Sequence, residues 1–242
     1  MSGIRLSKLM AERGLCSRRE ADRLIEQGMV LVNGQVVDRL GSRFNPTVDI
    51  ALAAESLRAR WRLVTVLLNK PPGVVSNQPE KGYREATSLI TRKSFQCIAG
   101  QKWRELPPTR TLHVAGRLDI DSSGLLVLTQ DGQVARQLIS PNSQIEKEYV
   151  VRLTARVPTA ALFQIRGELT LDGHLLKSVE ITQIDDRTLR LVLQEGRKRQ
   201  IRRMCDLVGL KVHSLVRVRI GGVGLGDLSR GRWRYLDSSE VF

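Results

Sequence analysis

The chain has 242 residues and a mass of 27.2 kDa, enough for one large domain or a medium one plus a small one. Hydrophobic residues at 41% and 20 glycines match folded chains and exclude wholesale disorder. Lysine and arginine total 39 against 25 acids, and a net charge of +14 makes a polyanion, nucleic acid first, the natural partner.

The ten aromatic residues (three Trp, three Tyr, four Phe) are too few for a single-strand binder built on stacked rings. Apolar runs such as Leu125 to Leu128 fall far short of the roughly 18 residues a membrane span requires. The first residues intersperse Arg5, Lys8, Glu12 and Arg13 with apolar ones, unlike a secretion signal, so a cytoplasmic protein without membrane association is expected. Cys16, Cys97 and Cys205 suit neither a disulfide framework nor a zinc knuckle and are read as reduced thiols.

Residues 5–13 read as a short helix ended by Gly14. Ser17 and Glu20 form a capping box, followed by Ala21, Leu24, Ile25 and Gly28 at helical spacing, which leaves Arg18, Arg19 and Arg23 on the solvent side. Asn33-Gly34 between MVLV and QVV predicts a two-residue hairpin turn. The stretch RLSKLMAERGLCSRREADRLIEQGMVLVNGQVV closely resembles the S4 RNA-binding module. That resemblance implies that Arg5, Lys8, Arg18, Arg19 and Arg23 line a surface for structured RNA, positioning phosphates rather than reading bases.

Residues 45–62 carry no sustained period, and an interdomain connection is placed near 55–62, dividing the chain into 1–56 and 60–242. Beyond it, strands are expected at 63–69, 111–115, 124–129, 148–154 and 188–193 with helical pieces between them. This makes an α+β domain on a mostly antiparallel sheet. Residues 91–110, with Gly100, Pro107 and Pro108, read as an exposed loop.

Two patterns are decoys. Asp119, Asp121, Ser123 and Gly124 fit the start of a calcium loop, but Gln130 stands where a bidentate glutamate is required. The glycines of IGGVGLG lack the spacing and following helix of a nucleotide loop, and a turn within a β-segment is expected there. His113, His174 and His213 have no ligand partners at useful spacing, so no metal is expected.

Three segments resist explanation by packing alone: VAGRLDIDSSGLLVLT, EKEYVVRL and EGRKRQIRRMCDLVGL. In the third, Ile201, Met204, Cys205 and Val208 form an apolar helix face. Arg197, Lys198, Arg199, Arg202 and Arg203 crowd its start and opposite side and need an anionic partner, RNA phosphate or an internal carboxylate. With LLNKPPGVVS upstream, GRLDIDSSGLL, EKEYVV and GRKRQIRRM together resemble the RNA pseudouridine synthases. With the S4-like module in front, the chain is most similar to their ribosomal RNA branch, nearest the F-type synthases of large-subunit ribosomal RNA.

The resemblance implies roles for individual residues. Asp119 matches the catalytic aspartate, Arg117 the arginine two residues before it, Tyr149 the active-site tyrosine, and Arg202 the basic residue that pairs with the aspartate. Ile201 is expected to pack on the base, with Lys70 and Arg199 also on the substrate side; Lys70 and Pro71 match a supporting motif. The implied activity is isomerisation of a uridine in ribosomal RNA, with a transfer RNA as a further candidate substrate, by a monomer that needs no cofactor. The alternatives are an S4-type RNA-binding or ribosome-assembly factor without catalysis, and an S4-bearing methyltransferase. The missing glycine-rich nucleotide loop counts against the second.

Overall fold

The computed structural model describes residues 3–53, 63–77, 82–98, 101, 103–106 and 108–242; the connection placed near 55–62 lies outside them. The first elements are β1 (Ile4–Arg5), α1 (Leu6–Glu12), α2 (Arg18–Glu26), β2 (Val30–Val32), β3 (Gln35–Val36), β4 (Arg43–Phe44) and β5 (Ile50–Leu52). The capping box at α2 is formed: Ser17 Oγ accepts from the Glu20 N–H at 3.2 Å, and Glu20 Oε2 accepts from the Ser17 N–H at 3.3 Å. Asn33 and Gly34 both take positive φ, as a type I′ turn demands, and β2 pairs with β3 and β5. Leu6, Leu9, Met10, Ala21, Ile25 and Val30 close a small core of their own.

The rest is built on β6 (Thr65–Lys70), β7 (His113–Ala115), β8 (Ser123–Thr129), α3 (Gly132–Ile139), β9 (Lys147–Leu153), α4 (Thr159–Arg166), β10 (Thr170–Leu171), β11 (His174–Leu175), β12 (Glu180–Asp185), β13 (Thr188–Leu193), α5 (Gln200–Leu207), β14 (Val212–Ile220), β15 (Val223–Gly224) and β16 (Trp233–Tyr235). The main sheet runs β12-β13-β9-β14-β8-β6-β16, with β15 on β14 and β7 on β8. All its pairs are antiparallel except β14 with β8.

Strand β8 is buried along its whole length because both faces are covered. Leu126 and Leu128 join Val66, Leu68 and Val151 on one side, while Leu125 and Val127 join Leu67 and Ile220 on the other. The IGGVGLG run turns β14 into β15 through Gly221 and Gly222, a turn within a β-segment. The two parts of the chain touch where Gln133 Nε2 donates to the carbonyls of Gly14 and Leu15.

The described residues of 91–110 are largely exposed, as expected from its charges, but its aromatic residues anchor it on the sheet. Phe95 pairs with Trp233 across the sheet edge, the Phe95, Trp103, Trp233 and Tyr235 rings meet at centroid distances of 5.0–6.0 Å, and Tyr235 Oη donates to Arg104 O. Aromatic packing of half-buried Phe95 and Trp103 against β16 anchors the segment at a sheet edge while its charged residues stay exposed.

Candidate active site

Strand β7 ends at Ala115 and β8 begins at Ser123, and the connection between them carries Arg117, Asp119 and Asp121. Three supports hold this loop. Ser76 Oγ donates to Leu118 O at 2.6 Å and accepts from the Leu118 N–H at 2.9 Å, fixing both polar groups of the residue before Asp119. The Gly73 N–H donates to Ile120 O at 2.7 Å on the other side of Asp119. Buried Arg217 of β14 donates through Nε to Leu125 O at 2.8 Å and through Nη2 to Gly116 O at 3.1 Å, tying the two ends of the loop to each other.

One cross-strand row places these groups: Tyr149 on β9 pairs with Arg217 on β14, Arg217 with Gly124 on β8, and Gly124 with Lys70 on β6. A Cβ at Gly124 would stand 2.3 Å from Arg217 O, and its φ is +103°, so only glycine lets β14 approach here.

A cleft of about 930 Å³ opens over this row, and Asp119, Arg117, Tyr149, Ile201, Arg199 and Arg217 are among the residues that line it. Tyr149 and Ile201 are buried in its wall, and Arg117 is exposed. The Asp119 carboxylate has no hydrogen bond or ion pair among the described residues.

Arg202 does not pair with Asp119 as expected. Its Nη2 donates to Asp121 O at 2.9 Å, and its Nε lies 3.2 Å from Asp121 Oδ2, an ion-pair contact too bent for a hydrogen bond. Arg199 grips the same carboxylate with Nη1 and Nη2 at 3.1 Å. The cause is local: Arg199 takes φ +53° as the cap of α5, and Arg199 and Arg202, three apart, share a face that meets Asp121. Asp121, in sequence only part of a calcium-loop decoy, is the anchor of the basic helix. Arg203 pairs with Asp172 at 2.6 Å and Arg197 with Glu195 at 3.7 Å, so internal carboxylates answer most of the crowded cations.

Lys70 is also corrected. It is fully buried, and its Nζ donates to Pro71 O at 2.9 Å and Val74 O at 2.8 Å, away from any substrate contact. Burial pushes its ammonium down to about 8, against the opposing pull of Asp121 and Asp119. It supports the loop from behind. Arg5, Lys8, Arg18, Arg19 and Arg23 lie outside the cleft, on the small N-terminal part. Ser76, Asp121 and Arg217 escape sequence reasoning, and only the tertiary fold reveals their contacts.

Among the described residues no group of three or more His, Cys, Asp or Glu side chains could hold a metal, and no helix is long and apolar enough to cross a membrane.

Comparison with known proteins identifies the family. The RNA pseudouridylate synthase family matches residues 64–207 and the S4 domain residues 4–50. An uncharacterized RNA pseudouridine synthase of Mycobacterium leprae (strain TN) is 36% identical over 244 residues, covering 98% of this chain and 91% of the relative. The dual-specificity RNA pseudouridine synthase RluF of Escherichia coli (strain K12) is 32% identical over 242 residues, covering 99% of this chain and 78% of the relative. A crystal structure of a pseudouridylate synthase superposes with a TM-score of 0.67 at 29% identity, covering 98% of this chain and 97% of that one. The chain therefore belongs to the RNA pseudouridine synthase family, with an S4 domain preceding the synthase fold.

Proposed function

We propose that this enzyme converts a uridine of ribosomal RNA to pseudouridine, with Asp119 as the reacting carboxylate. The observation that carries the reading is an Asp119 carboxylate in a cleft, without a partner among the described residues, on a loop held from three sides by Ser76, Gly73 and Arg217. Fixing the backbone on both sides of a reactive group removes reorganisation at the moment of reaction. The isomerisation breaks N1–C1′, turns the uracil and forms C5–C1′, with no redox change and no group donor. An ionised carboxylate can serve as nucleophile at the ribose or base, or remove a ribose proton, and no cofactor is required.

The target base is stacked in its RNA and must be flipped into the cleft. Tyr149 and Ile201 offer faces for the ring, and the Tyr149 phenol is the group for proton handling at C5. Exposed Arg117 holds the opened strand. Arg199 and Arg202, both anchored on Asp121, keep positive potential beside the reacting carboxylate without pairing with it.

The division of labour follows the two parts of the chain, residues 1–56 capturing RNA through Arg5, Lys8, Arg18, Arg19 and Arg23, and residues 60–242 performing the chemistry. Separate buried clusters support that boundary. The enzyme acts in the cytoplasm as a monomer. The dual specificity in the name of the Escherichia coli relative supports acceptance of a second RNA, for which a transfer RNA is our choice.

The test is release of tritium from C5-labelled uridine in ribosomal and transfer RNA, combined with pseudouridine maps of cells with and without the gene. The reading expects release without added cofactor and at least one ribosomal pseudouridine that vanishes with the gene. Absence of both returns the chain to the assembly-factor alternative.

A further inference from the structure

Three cations lie buried on β6, β9 and β14 of the main sheet. Lys70 is 0%, Arg217 1% and Lys147 8% exposed, and none makes an ion pair with a carboxylate among the described residues. Lys70 spends itself on two carbonyls behind the loop, but Lys147 and Arg217 both line the cleft with Asp119 and Tyr149. Lys147 precedes Tyr149 by two residues on β9 and so shares its face of the sheet, and Tyr149 pairs with Arg217.

The donors of these groups are only partly used. Lys147 Nζ reaches a single acceptor among the described residues, Ile145 O at a long 3.3 Å, leaving two of its N–H bonds uncommitted. Ser122 Oγ, buried and lining the same cleft, has no hydrogen-bond partner there at all. Like charges buried side by side without a carboxylate oppose the fold, and the strain shows: burial and the neighbouring Arg217 both loosen the Lys147 proton. Such a floor is complementary to negative charge that arrives from outside the protein.

RNA phosphates are poor occupants. They carry their charge permanently and would have to shed water to reach residues this deep, whereas Arg117, Lys198 and Arg199 meet them at the cleft mouth. Uracil enters neutral and becomes charged only during the reaction. As N1–C1′ breaks, the bonding pair stays on N1 and spreads to O2 and O4, while C1′ bonds to an Asp119 oxygen or Asp119 takes a C2′ proton. After the ring turns, C5 donates its pair to C1′, releasing the carboxylate or recovering the C2′ proton, then loses its own proton while N1 gains one. Uracil is an anion between the two bond changes whether the carboxylate attacks the ribose or deprotonates it, the two routes on which this inference rests.

We propose that Lys147 and Arg217 form a cationic floor that holds uracil as an anion between cleavage of N1–C1′ and formation of C5–C1′, a role that rests on the synthase activity at Asp119. Groups that act on charge present only in the reaction accelerate it without tightening substrate binding. Arg217 also ties the loop ends, so Lys147 is the residue to vary.

The experiment uses the full chain and a C5-tritiated large-subunit ribosomal RNA transcript under single-turnover conditions, with RNA affinity measured in parallel. Lys147→Gln is expected to slow tritium release by about 100-fold with RNA Kd within about twofold, and Lys147→Arg to recover to within about tenfold of wild type. A second transcript carries 5-fluorouridine, whose electron-withdrawing fluorine stabilises the ring anion by itself. C5 of this ring has no proton to lose, so the C5–C1′ product keeps its fluorine and takes up water across N1–C6 instead; its formation, followed by chromatography of nuclease digests, should show the Lys147→Gln penalty shrunk to below about tenfold.

A near-wild-type rate for Lys147→Gln, an affinity loss as large as the rate loss, or equal penalties on both transcripts would overturn the floor. Failure of the wild-type protein to release tritium would instead sink the synthase reading, so the two failures are distinct.

Discussion

On the N-terminal module Arg5, Arg18, Arg19 and Arg23 stand with no carboxylate partner among the described residues, while in the larger part several arginines are tied down, exposed Arg117 at the cleft being an exception. Arg199 and Arg202 share Asp121, Arg203 holds Asp172, Arg190 and Arg219 share Glu148, and Arg217 is fixed by two main-chain carbonyls. Free cations on a module surface contribute field and counterion release, which capture RNA with little geometric demand. Tethered cations have lost their freedom before the substrate arrives and can fix atoms to the precision that bond rearrangement requires. The same residue type thus serves affinity in one region and geometry in the other, and the partner decides which.

The sharpest way to break this contrast is at Asp119. Asp119→Asn keeps the volume and removes the nucleophile, so turnover should fall by about 1000-fold or more, with RNA Kd within about twofold of wild type. A comparable loss of RNA affinity would show that the cleft also dominates capture.

Asp121→Asn tests the tethers themselves. Arg199 and Arg202 would lose their shared carboxylate and one or both would swing toward Asp119. A fall in kcat of about 10–100-fold with a much smaller change in KM is expected. An unchanged kcat would show that the tethers serve stability alone.

Replacing Arg18, Arg19 and Arg23 with Gln tests the free cations. RNA affinity should weaken about tenfold at moderate salt, and the slope of log affinity against log salt should shallow by about 2, leaving single-turnover rate at saturating enzyme close to wild type. Filter binding across a salt series checks this.

The smallest effect concerns structural tethers that do not line the cleft. The Arg190 guanidinium, helped by Arg219, holds the Glu148 carboxyl down to about 2. Because the folded protein binds this proton less readily than the unfolded chain, the stabilisation is present above roughly pH 4.5 and disappears as pH falls toward about 2. Glu148→Gln should lower Tm by about 2–4 °C near neutrality, and the gap to wild type should close across that acid window in calorimetry.

Much of this organisation is legible from the chain alone where the signals are local. The capping box at Ser17, the Asn33-Gly34 turn and strand β13 depend on residues adjacent in sequence, and they stand where expected. Strand β14, VHSLVRVRI, escapes such a reading because Arg217 and Arg219 interrupt its apolar residues, although it lies at the centre of the sheet and forms its parallel pair. The exchange of Asp119 for Asp121 as partner of Arg202 is equally hidden. Two carboxylates two residues apart are equivalent to a motif, and only the turn at Arg199 chooses between them. Likewise, nothing local announces that Trp233 and Tyr235 close over Phe95 and Trp103, some 130 residues earlier.

The most direct test of the central claim crosses the two regions in one experiment. RNA Kd and single-turnover tritium release at saturating enzyme are measured for Asp119→Asn and for the Arg18, Arg19 and Arg23 triple variant. The account predicts that the first binds like wild type and releases almost no tritium, and that the second binds weakly and releases it at a near-normal rate. If Asp119→Asn still converts uridine near the wild-type rate, Asp119 is not the reacting carboxylate and the account is wrong.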